Sequence, residues 1–170
     1  ITLVAGEPGI GKSALIQEVH KPIAAKRGYF LSGKYEELRR HLPYSGIIQA
    51  FQGLARQIIS ESEERLKVWR SALTAALGEN AKVITDAIPE IELIIGPQPS
   101  LAEMGPEETR NRFNLVFKSF VRVFADRTHP LVLFLDDLQW ADQASLNLIQ
   151  TIATDPDLKH LLIIGAYRDN

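Results

Sequence analysis

Gly6-Glu7-Pro8-Gly9-Ile10-Gly11-Lys12-Ser13 spells G-x-x-x-x-G-K-[ST], a spacing that phosphate chemistry requires. Glycines let a backbone wrap closely round a phosphate with successive N–H groups turned inward, and the positive end of a following helix adds to the attraction. Lys12 would reach the β- and γ-phosphates, and the Ser13 hydroxyl would ligate Mg²⁺. An ordinary glycine-rich turn between strand and helix would show the same letters. The setting favours the phosphate cradle, because an apolar strand precedes the loop and a helical pattern follows from Ala14. The predicted binding stretch is therefore Gly6 to Ala14. A second pair, Asp136-Asp137, stands directly after the apolar run Leu131–Leu135. Two aspartates at a strand end can simply open a turn. Joined to a phosphate loop they divide the work. Asp136 would hold Mg²⁺, usually through water, and Asp137 would orient or deprotonate an attacking water.

These residues need strands that end at one place. Ile1–Ala5 reads as a buried strand stopped by Gly6, and Tyr29–Gly33 as a second strand. A helix follows the loop, with a break expected near His20-Lys21 because of Pro22, and an end at Gly28. Tyr44, Ile47, Ile48, Phe51, Leu54, Ala55, Ile58 and Ile59 trace one helical stripe. Ser60 with Glu63 resembles a capping box for a helix ending at Gly78. Ala81 to Ile88 forms a weaker helix stopped by Pro89, and Gly96 to Pro106 a proline-rich loop. From Pro106 a long helix turns Phe113, Val116, Phe117, Phe120 and Phe124 inward, a stripe that reads as core. Leu131–Leu135 is apolar without alternation, as in a strand covered on both faces of a parallel sheet. Asp142 caps a helix carrying Leu146, Ile149 and Ile152, and Leu161–Ala166 is a last buried strand. Strands joined by helices predict an α/β sandwich with a helical insertion over about residues 44–105.

Composition agrees with one such domain and excludes other classes. In 170 residues, 45% are hydrophobic and 24% charged, a balance that can bury a core. Nineteen Lys+Arg against 21 Asp+Glu leave a net charge of −2, which argues against a general basic surface for nucleic acid. No apolar run approaches the roughly 18 residues that span a bilayer, and no signal peptide opens the chain. The absence of cysteine excludes disulfides and thiolate chemistry. A cytoplasmic location is expected. The chain starts inside one apolar run and stops just after another, so it reads as a segment of a longer protein.

Gly6–Ser13 together with Leu131–Asp142 (LVLFLDDLQWAD) and Leu161–Asp169 (LLIIGAYRD) resembles the ATPase domain of the STAND branch of AAA+-related P-loop proteins. The likeness is strongest to ATPase modules of large bacterial signalling proteins, among them sensor histidine kinases, serine/threonine kinases and LuxR-type regulators. The resemblance implies a three-layer P-loop fold with strand order 5-1-4-3-2, the fifth strand lying past Asn170 and the first at an edge. It also implies ATP with Mg²⁺ as the bound nucleotide, Walker A and Walker B roles for the two motifs, and Arg168 as a sensor facing the γ-phosphate. By itself Arg168 could equally form a surface salt bridge. Gln139, Trp140 and Asp142 match the family pattern, with Trp140 read as packing and Asp142 as a cap. The second acid is aspartate where most AAA+ machines carry glutamate, and its shorter reach points to slow hydrolysis. No arginine finger is assigned. The expected partners are adjacent domains of the parent protein, with self-association open. The expected function is a slowly hydrolysing nucleotide switch; a non-catalytic nucleotide-binding scaffold is the alternative, and a small-molecule P-loop kinase a third reading.

Overall fold

The computed structural model describes residues 1–7, 18–20, 22–23 and 25–168. The break expected at His20-Lys21 falls on Lys21, outside the described residues; Pro22 and Ile23 are themselves helical. The chain divides into two compact units, one of residues 1–51 and 124–170, the other of residues 52–123.

The first unit is built on four strands: β1 (Thr2–Ala5), β2 (Tyr29–Lys34), β3 (Leu131–Asp136) and β4 (Leu161–Tyr167). They form one sheet in the order β1-β4-β3-β2, every pair parallel. β3 lies second from one side, and Leu131 to Leu135 are all buried, as a run without alternation requires. One sheet face gathers Val132, Phe134, Ile164 and Ala166, with Val4, Val19, Ile23 and Phe30 packed on them. The order is that implied for the first four strands of the resembled family. The expectation of a buried first strand, however, fails. Ile1 is 64% and Leu3 59% exposed, because β1 pairs only with β4 among the described residues and is an edge, the position that the resemblance implies for it. An apolar run signals that a strand can be covered, not that it is.

Register brings the strand ends level. Lys34 pairs with Asp136, and Ala5 with Tyr167, so the C-terminal ends of all four strands lie along one margin. Helix α1 (Ser45–Ile59) starts tightly against this margin. A Cβ on Gly33 would stand 1.9 Å from the Gly46 carbonyl oxygen, so only glycine permits the approach.

The second unit is helical. It holds the later part of α1, then α2 (Glu63–Leu77), α3 (Ala81–Ala87), α4 (Glu90–Ile95) and all but the last residue of α5 (Pro106–Phe124). Leu54, Ile58, Phe117 and Phe120 are buried, as the stripes predict, and Leu73, Ile84 and Ile91 are buried as well. The cap of α2 differs from the expected one. Ser62, not Ser60, accepts from the Arg65 N–H, while the Ser60 hydroxyl donates to the Gln57 carbonyl at 2.6 Å. Pro89 ends α3 but also opens α4, a helix the sequence pattern does not announce. Arg56 pairs with Glu90 at 2.8 Å, and Arg70 donates to the Ile94 carbonyl at 2.7 Å.

Candidate functional site

The site is assembled where β3, β4 and β2 end. Asp136 is the last residue of β3, and its Oδ1 accepts the Asp137 N–H at 2.9 Å. Among the described residues its side chain takes no other hydrogen bond or ion pair. Asp137 turns into the left-handed region, with φ 52° and ψ 44°. Aspartate tolerates that conformation better than most residues. A single 3₁₀ turn, Leu138–Trp140, follows and is closed by the Trp140 N–H on the Asp137 carbonyl at 2.9 Å. Sharp reversal after an apolar strand delivers the Asp137 side chain back over the strand ends.

Asp137 is 8% exposed and surrounded by donors. Gln139 Nε2 donates to Oδ1 at 2.9 Å, and Arg168 Nε reaches the same oxygen at 3.2 Å. Lys34 Nζ lies 3.4 Å from Oδ2. Burial pushes the Asp137 carboxyl up, but hydrogen bonds from Gln139 and Lys34 and the charges of Arg168 and Lys34 outweigh it. The group titrates below the usual aspartate range. Arg168 also donates its main-chain N–H to Gln139 Oε1 at 3.2 Å. Gln139 therefore bridges the turn after β3 to the end of β4.

Asp142 serves a wider purpose than the expected cap. It caps helix α6 (Gln143–Ala153) by accepting the Ser145 N–H at 2.8 Å, and it also accepts the Tyr44 N–H at 3.2 Å. One carboxylate thus ties the segment after β3 to the start of α1. Trp140 carries the Arg40 guanidinium 5.3 Å from its ring centre, a cation–π contact. Burial raises the hydroxyl of nearby Tyr35, 1% exposed, to about 12.

Of the residues singled out from sequence, Asp136, Asp137 and Arg168 stand together here. Gly6 and Glu7 follow β1 at the same margin, Gly6 beside Arg168 by strand register. Pro8, Gly9, Ile10, Gly11, Lys12, Ser13 and Ala14 lie outside the described residues. Lys34 was not singled out, although a lysine closing a strand of a parallel sheet stands where such sheets place their ligands. The role of Gln139 as a bridge was likewise not foreseen. The donor set fits the implied groups. Among the described residues, one carboxylate oxygen of Asp136 takes no hydrogen bond and offers the hard ligand that Mg²⁺ prefers, and two cations face the same margin.

An open parallel α/β sheet with paired acids at the end of an inner strand defines the class. The chain belongs to the AAA ATPase domain family, whose model matches residues 1–164. It is 41% identical over 150 residues to hybrid signal transduction histidine kinase G of Dictyostelium discoideum, covering 88% of this chain. Over 166 residues it is 23% identical to histidine protein kinase 1 of Candida albicans and 25% identical to peroxide stress-activated histidine kinase mak2 of Schizosaccharomyces pombe. The matched part is 4% of the first relative and 7% of the other two. No helix among the described residues is long and apolar enough to cross a membrane.

Proposed function

We propose that this chain is an ATP-binding, slowly hydrolysing switch domain of the STAND type, set within a larger signalling protein of the histidine-kinase kind. The observation that carries the reading is the convergence of Asp136, Asp137 and Arg168 at the strand ends beside which Gly6 opens the phosphate-loop sequence. Lys12 and the main chain from Gly6 to Ala14 bind the phosphates. Ser13 and Asp136 hold Mg²⁺, which when bound neutralises phosphate charge. Asp137 orients water for in-line attack, and Arg168 presents fixed donors to the γ-phosphate. Adjacent domains read the result as a change of geometry. Neither nucleic acid nor membrane has a part in this reading, and a cytoplasmic location follows from it.

One observation favours a second reading, a nucleotide-binding scaffold without turnover. Both Asp137 oxygens already carry cations, which blunts the carboxylate as a proton acceptor. Titration with a fluorescent ATP analogue tests the shared part. Lys12→Ala should weaken binding several-fold or more with unchanged circular dichroism; equal affinity would sink both readings. Phosphate release by the unmutated protein then separates them.

A further inference from the structure

A cleft of about 430 Å³ opens within the helical unit, lined by α3, the loop 96–105 and the first two turns of α5. None of its lining residues belongs to the strand-end site. Small-molecule pockets have volumes of roughly 300–1,000 Å³, so the cleft is large enough for a ligand. Its charges are unevenly engaged. On α3, Lys82 Nζ lies 2.9 Å from Asp86 Oδ1 and 3.9 Å from Glu92 Oε2, so Lys82 and Asp86 neutralise each other. Glu103 is exposed on the loop, where solvent screens its charge. Arg112 on α5 differs. Its Nη1 donates to the Ala102 carbonyl at a long 3.4 Å. Its Nε is shielded from solvent and, among the described residues, has no hydrogen-bond partner; no carboxylate there pairs with the guanidinium. A charged donor withdrawn from water and left without an acceptor is unfavourable, and calls for a partner.

We propose that this cleft is a ligand site in its own right, for a small organic monocarboxylate with an apolar body. Arg112 receives the carboxylate on Nε, which is one prong of the planar fork that such groups engage. Val83, Leu101 and Met104, on the same walls, cover the apolar body. One uncompensated positive charge matches one negative charge. A phosphate group carries about −1.5 to −2 at neutral pH, an excess for a lining that already holds Asp86 and Glu103. The apolar walls point the same way, since an inorganic ion gains nothing from them. The inference is independent of the nucleotide reading, because it uses neither the phosphate-loop sequence nor the strand-end residues.

The test titrates the full chain with hexanoate, hexanamide and inorganic phosphate while NMR follows the Arg112 Nε–H. Millimolar hexanoate should shift that signal and saturate. Hexanamide, the same shape without the charge, should bind at least ten-fold more weakly, and so should phosphate. By calorimetry, Arg112→Gln should reduce hexanoate affinity ten-fold or more, and Arg112→Lys should recover only part, because it lacks the fork. Should Arg112→Gln fold poorly, Met104 supplies a second handle, since it lines the cleft yet is 50% exposed and its exchange leaves the fold alone. Met104→Glu should weaken hexanoate several-fold and Met104→Lys should strengthen it, both with unchanged circular dichroism. An Arg112 signal unmoved by hexanoate at tens of millimolar would overturn the site. So would equal binding of hexanamide, which would leave Arg112 no part in recognition, or tighter binding of phosphate, which would make the cleft an inorganic oxyanion site. The Lys12→Ala titration decides the nucleotide reading separately and leaves this result untouched.

Discussion

At the scale of single residues, the two adjacent aspartates have different surroundings, and different consequences follow. Asp136 has one oxygen on a main-chain N–H and, among the described residues, one without a hydrogen bond. Asp137 has both oxygens engaged by side chains. Asp136→Asn should weaken Mg²⁺-dependent ATP binding, since a hard ligand loses its charge, and leave Mg²⁺-independent binding alone. Asp137→Asn should keep ATP·Mg²⁺ bound and abolish phosphate release. Because Lys34 and Arg168 are 54% and 42% exposed, their screened pairing makes the folding cost of Asp137→Asn small, and its melting temperature should stay close to the parent. Equal loss of binding in both variants would contradict this division. Arg168→Ala removes the donor that could report the γ-phosphate, so the ATP-to-ADP affinity ratio should fall while ADP affinity holds; an unchanged ratio would leave Arg168 serving Asp137 alone.

At the scale of elements, close approach and turn chemistry place the margin. Gly33→Ala would drive a methyl into the Gly46 carbonyl at 1.9 Å, forcing β2 and the first turn of α1 apart. A loss of about 1–3 kcal/mol in urea unfolding is expected. Before β3, Asp126 Oδ1 accepts the Thr128 N–H at 2.6 Å, the Thr128 hydroxyl at 2.7 Å and the His129 N–H at 3.1 Å. Burial alone would raise the Asp126 carboxyl, yet these bonds and the His129 charge bring it below the ordinary range. A lowered value means the contribution is full above the unfolded pKa and disappears as pH falls through the folded one. Asp126→Ala should thus cost about 1 kcal/mol at neutral pH and progressively less in acid, read from paired urea titrations. The elements themselves were largely legible. β3 shows as an unbroken apolar run and α5 as a phenylalanine stripe, because burial on both faces or on one leaves a period in the letters. The cap at Ser62 and the short helix after Pro89 were not, and the edge position of β1 came from the resemblance and not from its own letters. Two serines offer the same hydroxyl two residues apart, and proline can close one helix as easily as open another. Exposure depends on neighbours rather than on a strand's own residues. In the site, Asp136, Asp137 and Arg168 were legible through motif and order, whereas Lys34 and Gln139 matter only because the register sets them beside Asp137.

At the scale of the molecule, the two compact units each hold one of the chain's two tryptophans, Trp69 in the helical unit and Trp140 in the sheet unit. A ligand stabilises the cooperative unit that binds it, by about 2.7 kcal/mol at a hundred-fold excess over Kd. Single-tryptophan variants, Trp69→Phe and Trp140→Phe, should therefore show saturating ATP·Mg²⁺ raising the unfolding midpoint reported by Trp140 more than that reported by Trp69. Equal shifts would mean that the units unfold as one. The edge strand has a colloidal consequence. β1 carries exposed Ile1 and Leu3, and β4 is its sole strand partner among the described residues, so an apolar strand edge meets solvent in the isolated chain. Such an edge templates sticking between copies, and a lysine on it acts as a gatekeeper. Osmotic measurements on the isolated chain should give a negative second virial coefficient that Leu3→Lys turns positive, so the concentration at which the chain can be handled is set by the strand that leads into its phosphate-loop sequence.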